Sequence, residues 1–229
     1  MKYEYSIADV PTIGNGQLAK GTWENLDALW RAAEPYTRVR ANDVHLPLSL
    51  HYAELLLDQH PEADPLVTRI AILLHDTGWA RVDEKKIMTE GFQSVDWRVS
   101  DIRVQHEIEG CNIARELLPT LGYDDALITK VTDIIDGHDT DPNHNSIEDA
   151  LVRDADRLWR FAPTGLAFSA LWFNKTPNQI RHQLEDQVYP ELITEAAQKM
   201  AQAELGFSIK LLQLDVLLTP HLFRQTSLL

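Results

Sequence analysis

Apolar positions recur along this chain with a helical period almost from end to end. Residues 67–74, VTRIAILL, are a mainly apolar run that ends in His75-Asp76. Across 99–118, Ile102, His106, Gly110, Ile113 and Leu117 recur at helical spacing, and across 124–137 Leu127, Val131 and Ile134 lead to His138. At about 100° per residue, each set falls on one helix face. This pattern predicts helices over residues 22–33, 47–59, 64–75, 99–118, 124–137, 147–161, 164–173, 177–187 and 190–217. Pro35, the Pro61–Pro65 region, Pro119–Gly122, the stretch 139–146 and Pro163 supply the breaks. Alternating strand-type runs are hard to find, so the expected fold class is an all-α helical bundle. One domain is expected over 1–229, with an arm at 1–20, a core at 42–161 and a cap of additional C-terminal helices at 162–229. Residues 79–98 read as the longest loop.

Composition narrows the function. Asp and Glu number 35 against 21 Lys and Arg, a net charge of −14. That balance disfavours a nucleic-acid polymer or a membrane surface as partner, because both call for a basic face. No apolar run approaches the length of a membrane span, and no signal peptide is evident, so a cytoplasmic protein is expected. Nothing in the sequence argues for an oligomer. Cys111 is the only cysteine, which excludes an intramolecular disulfide and a cysteine-rich zinc site.

The histidines carry the chemistry. His75 and Asp76 end the most apolar helix, where an acid beside an imidazole is costly unless something cationic compensates. His45 shares a stripe with Leu48, Tyr52 and Leu55, Pro47 suiting the first turn of that helix. His106 and His138 sit on or at the end of further apolar stripes. One such histidine is usually a satisfied core residue. Four on separate helices, with carboxylates, make a metal site of the kind helical bundles house. In 151–161, periodicity favours Asp154 over Asp156 as the inward acid, although spacing alone cannot choose between them.

The set His45, His75-Asp76 and Asp156 resembles the HD superfamily of metal-dependent phosphohydrolases over residues 42–161. ILLHDTGW is close to that family's LLHD-x-G. The string Ala155-Asp156-Arg157-Leu158 is similar to the Ala-Asp-Arg-Leu of stringent-response nucleotide hydrolases, in which that aspartate binds metal. The resemblance therefore implies Asp156 as the ligand, with Asp154 behind it. His106 and His138 extend the set toward the dinuclear branch, which includes the HD-GYP phosphodiesterases and diiron oxygenases related to inositol oxygenase. No Gly-Tyr-Pro motif follows, so cyclic-di-GMP hydrolysis is not implied. The ligands implied are His45, His75, Asp76, His106, His138 and Asp156. Asp76, His106 and His138 are the catalytic candidates, the two histidines contacting substrate phosphate if they do not bind metal.

Two carboxylates are neutralised by one divalent cation, and a second leaves the centre positive, so an anionic substrate is compatible with an acidic chain. Imidazole-rich ligation favours one or two ions of Mn, Fe, Co, Ni or Zn over Mg. A small phosphorylated substrate, such as a nucleotide, is the expected partner. No Gly-rich phosphate loop is present, so Arg157, Arg153 and Lys85, with Arg160 and Lys86, are the basic side chains that could hold phosphate. Asp139 could orient a ligand imidazole through its second nitrogen, or cap the turn. The large aromatics, Trp79, Trp97, Trp159, Trp172 and Phe173, read chiefly as core.

Overall fold

The computed structural model describes residues 20–212, with side chains from residue 26 onward. The arm expected before residue 20 and the part of the cap beyond residue 212 lie outside the described residues. The helices are α1 (Lys20–Ala33), α2 (Asn42–Leu57), α3 (Pro65–Leu74), α4 (Glu84–Thr89), α5 (Asp101–Leu117), α6 (Asp125–Ile135), α7 (Ile147–Leu158), α8 (Pro163–Trp172), α9 (Pro177–Gln183) and α10 (Glu195–Leu211). No strand occurs among the described residues, in keeping with the all-α expectation.

Helix α3 is the centre of the bundle. Asp64 caps it by accepting from Leu66 N at 3.0 Å and Val67 N at 3.3 Å, and Pro65 pre-sets its first turn. Every residue from Val67 to Leu74 is buried, because α1, α2, α6 and α7 all pack around it. Each large aliphatic side chain buried there contributes about 1.5–3 kcal/mol. Arg69 is accommodated in this apolar helix by a bidentate pair with Glu54 of α2, at 2.6 and 2.9 Å.

Helix α7 is enclosed on two sides. It packs on α2 and α3 and, across its other face, on α10. Its residues from Asp149 to Asp156 are therefore all buried, acids included. Helices α8 and α9 pack together, and α10 packs on α7 and α8, covering the bundle from the C-terminal side.

Three sequence expectations change. Helix α2 begins at Asn42 and not at residue 47, because Arg40 and Ala41 take left-handed φ values of 52° and 53° and reverse the chain just before it. Pro47 thus lies inside the helix, where it cannot donate the usual backbone hydrogen bond. The segment 79–98 is not one loop: a 3-10 turn covers Thr77–Arg81, α4 follows with Asp83 as its cap, and a second 3-10 turn covers Trp97–Val99. The helix expected at 190–217 starts at Glu195, capped by Thr194, after a turn through Pro190.

One close approach positions the site. A Cβ on Gly78 would lie 1.9 Å from the His106 carbonyl oxygen and 2.4 Å from Gly110 N. Only glycine lets the Thr77–Arg81 turn lie directly against the α5 backbone, which draws Asp76 next to His106.

Candidate metal centre

Five helices or their ends deliver the side chains. His45 comes from the first turn of α2, His75 and Asp76 from the end of α3, His106 from the middle of α5, His138 from the turn after α6 and Asp156 from α7. All six are buried, none more than 5% exposed. The long sequence separations close onto one point: His45 Nε2 is 3.1 Å from His75 Nε2 and 3.3 Å from Asp156 Oδ1, which is 3.4 Å from His75 Nε2.

Asp76 joins two groups. Its Oδ2 lies 3.2 Å from His45 Nε2 and 3.9 Å from His75 Nε2. Its Oδ1 lies 3.3 Å from His106 Nε2 and 3.6 Å from His138 Nε2. Two triads able to hold a metal ion result, His45–His75–Asp76 and Asp76–His106–His138, each with its ligand atoms within 4.8 Å of one another. Asp76 is common to both.

The imidazoles are oriented for this. His75 Nδ1 donates to the Ile72 carbonyl at 2.8 Å, and His138 Nδ1 to that of Ile135 at 2.8 Å. With the proton fixed on Nδ1, each neutral ring presents an Nε2 lone pair to the cluster. Ser49 Oγ lies 3.1 Å from His45 Nδ1 and holds that ring in place. His106 stacks on Trp79 with ring centroids 4.0 Å apart. Among the described residues, both His106 nitrogens and His138 Nε2 are buried without a hydrogen-bond partner. Buried polar atoms are normally paired, so the two Nε2 atoms, both aimed at the Asp76 carboxylate, fit a cation between them.

The electrostatics agree. Burial opposes ionisation of Asp76, but the Arg40 guanidinium and the surrounding imidazoles outweigh it and hold the carboxyl well below the usual range. Asp156 is held low against its burial by His45, His75 and Arg160. Burial pushes His45 down, but Asp156 and Asp76 lift it above its ordinary value, and Asp76, Asp139 and Glu107 similarly raise His138 to about 10. His106, where burial prevails, is lowered. The carboxylates thus favour protons on His45 and His138. A divalent cation at the cluster would take the place of those two protons.

The remaining predicted residues fall in different places. Asp154 faces away from the cluster: its carboxylate accepts from Ile193 N at 2.7 Å and Thr194 N at 2.8 Å and anchors the start of α10. Asp139 does not hold His138 Nδ1, which already donates to a carbonyl. It pairs instead with Arg103 and lies 3.9 Å from His106 Nε2. Arg153 Nε donates to Asp149 at 2.6 Å, and its Nη1 to the Asp141 carbonyl. Lys85 is exposed on α4. A cleft of about 560 Å³ lies beside the cluster, lined by Arg98, Arg103, Arg153, Arg157 and Arg160 among others, and not by Lys85. Arg160, 3.7 Å from Asp156, and Asp139 connect it to the histidines.

Sequence reasoning missed three contributors. Arg40 Nη1 donates to Asp76 Oδ2 at 2.9 Å. Glu107 accepts from Asp139 N at 2.8 Å and from Thr140 N at 3.0 Å, fixing the turn that carries His138. Arg103 is buried one turn before Glu107 on α5. Arg103 and Glu107 flank the Ile102–His106–Gly110 stripe, but nothing in the sequence marks them as buried.

Residues 44–160 match the HD domain family model, which is just over half of the chain. The chain belongs to the HD-domain family. A predicted HD superfamily hydrolase from an uncultured Thermotogales bacterium has a similar structure, with a TM-score of 0.53 and 24% identity over 85% of this chain and 90% of that one. Bacillus subtilis YpgQ in complex with ADP is similar at a TM-score of 0.52 and 17% identity, over 83% of this chain and 97% of that one. At these identities the likeness is one of fold. No curated protein matches the chain.

Proposed function

We propose that this chain is a metal-dependent phosphohydrolase that cleaves a phosphate ester or anhydride bond in a small phosphorylated molecule or nucleotide. The observation that carries this reading is the joining of the His/Asp cluster to an arginine-lined cleft through Arg160 and Asp139. His45, His75, Asp76 and Asp156 would hold one ion, and Asp76, His106 and His138 a second. When bound, such an ion acidifies a water and polarises a phosphoryl oxygen. Imidazole-rich ligation suits Mn, Fe, Co, Ni or Zn.

The protein's own groups do the positioning. Arg160 presents its guanidinium on the cleft side of Asp156, suited to phosphoryl oxygens, and Arg157 lines the same cleft. Arg40 and the Trp79 indole fix both oxygens of Asp76. Trp159, whose ring lies 4.6 Å from that of His45, helps keep the cluster dry and its interactions strong. The ADP held by YpgQ supports a nucleotide as the substrate to try first. Purified protein with Mn²⁺ is expected to hydrolyse members of a nucleotide and phosphoester panel, and His75→Ala to abolish this. Activity that survives His75→Ala contradicts the assignment.

The sharing of Asp76 between two triads favours one other reading, a diiron oxygenase on the same scaffold. Oxygen consumption after anaerobic loading with Fe²⁺, without phosphate release from any panel member, selects it. The arginine cleft favours the hydrolase.

A further inference from the structure

The lining of the cleft sets five arginines against three carboxylates, Asp139, Asp141 and Glu191, a surplus of two positive charges in a chain of net charge −14. Three of the arginines are committed to internal partners. Arg103 pairs with Asp139, Arg153 with Asp149, and Arg160 stands near Asp156. The other two converge on a single side chain. Arg98 Nη2 lies 3.1 Å from Glu191 Oε1, and Arg157 Nε lies 3.4 Å from Glu191 Oε2.

Both guanidinium groups have other supports. Arg98 Nη1 donates to Gln187 Oε1 at 3.1 Å, and its guanidinium lies 4.4 Å from the Trp97 ring centroid. Arg157 Nη1 donates to the Arg153 carbonyl at 3.1 Å. Glu191 itself sits at the end of the short Tyr189–Glu191 turn, its side chain 42% exposed. The forks are held from behind while the carboxylate between them hangs from the surface. A carboxylate gripped through both oxygens by two guanidinium groups stands where two oxygens of a phosphoryl group would fit.

We propose that Glu191 is a placeholder anion, exchanged for a phosphoryl group of the substrate remote from the bond that is cleaved. The exchange selects by charge. A phosphoryl group with close to two negative charges outcompetes the single charge of Glu191, whereas a carboxylate ligand gains nothing by the swap. The substrate class is then one with at least two phosphoryl groups, one at the metal centre and one on Arg98 and Arg157. This rests on the proposed phosphohydrolase reading for the site it serves, but the exchange itself needs no hydrolysis.

Calorimetric titration of the full chain with pyrophosphate, in chelator and at low salt, tests it. Glu191→Gln keeps the side-chain shape and removes the competing charge, so it is expected to bind pyrophosphate about tenfold more tightly than the parent chain. Arg157→Gln is expected to bind more weakly, and the Glu191→Gln gain to shrink when the two are combined. Acetate is expected to show no binding to the parent chain. Unchanged or weaker pyrophosphate binding by a folded Glu191→Gln chain overturns the proposal, as does an Arg157→Gln chain that binds like the parent. If Glu191→Gln does not fold, Glu191→Ala carries the same expectation. A chain that hydrolyses nothing, yet binds pyrophosphate more tightly as Glu191→Gln, keeps the placeholder and removes the hydrolase reading. Hydrolysis of nucleotides with no affinity change in Glu191→Gln does the reverse.

Discussion

Arg40 donates to Asp76 at 2.9 Å from beneath three aromatic rings, those of Trp79, Phe92 and Trp172, whose centroids lie 4.6–4.9 Å from the guanidinium carbon. The Trp79 indole N–H donates to the other Asp76 oxygen at 2.9 Å. Each carboxylate oxygen thus has a donor behind it and imidazoles in front. Oδ2 faces His45 and His75, and Oδ1 faces His106 and His138.

Removing the arginine isolates that carboxylate in a buried site. Arg40→Met is expected to lower the stability of the chelator-treated protein by about 3 kcal/mol in urea unfolding, the scale for breaking one side of a buried pair. Added Mn²⁺ is expected to restore much of the loss, because a cation in the cluster also neutralises Asp76. Equal losses with and without metal would count against a cation at Asp76.

Gly78→Ala tests the contact that brings Asp76 to α5. The added methyl meets backbone at 1.9 Å, which no rotamer change relieves. The turn and α5 must separate, at an expected cost of about 3 kcal/mol. Metal retained per chain, measured by elemental analysis, is expected to fall with it.

Asp154 and Asp156, two positions apart, are expected to behave differently. Asp154→Ala leaves Ile193 N and Thr194 N without their acceptor and is expected to cost about 2 kcal/mol of stability with metal content unchanged. Asp156→Asn is expected to weaken metal retention. The same pair of measurements on both variants separates the roles, and metal loss in Asp154→Ala would reverse them.

The cleft, and not α4, is expected to govern substrate binding. Arg160→Gln is expected to raise KM for a phosphorylated substrate about tenfold. Lys85→Ala is expected to leave KM as it is. Steady-state kinetics on the two variants decide this.

Much of the bundle was readable from side-chain spacing, because helices such as α3, α5 and α6 carry apolar residues at helical period between proline- and glycine-marked breaks. The start of α2 was not, since Pro47 signals a first turn while the true boundary depends on the backbone reversal at Arg40–Ala41 and on Asn42 donating to the Asp76 carbonyl at 2.9 Å. Helix α4 is too short for periodicity to register. The Asp154 puzzle has a related cause: a stripe argument assumes one buried face, whereas α7 is buried on two, so Asp154 points inward toward α10 and Asp156 inward toward α2 and α3. The histidines were legible because buried imidazoles at helical spacing are conspicuous. Arg40, Arg103 and Glu107 were not, because a charge in a sequence reads as surface until its buried partner is seen.

Metal content per chain is the most direct test of the centre. Protein reconstituted anaerobically with Fe²⁺ or Mn²⁺, desalted and measured by elemental analysis, is expected to hold two ions, and one when His106 is replaced by Ala. A value of one in the parent chain would mean that Asp76 serves a single ion. A folded parent chain that retains no metal contradicts the account.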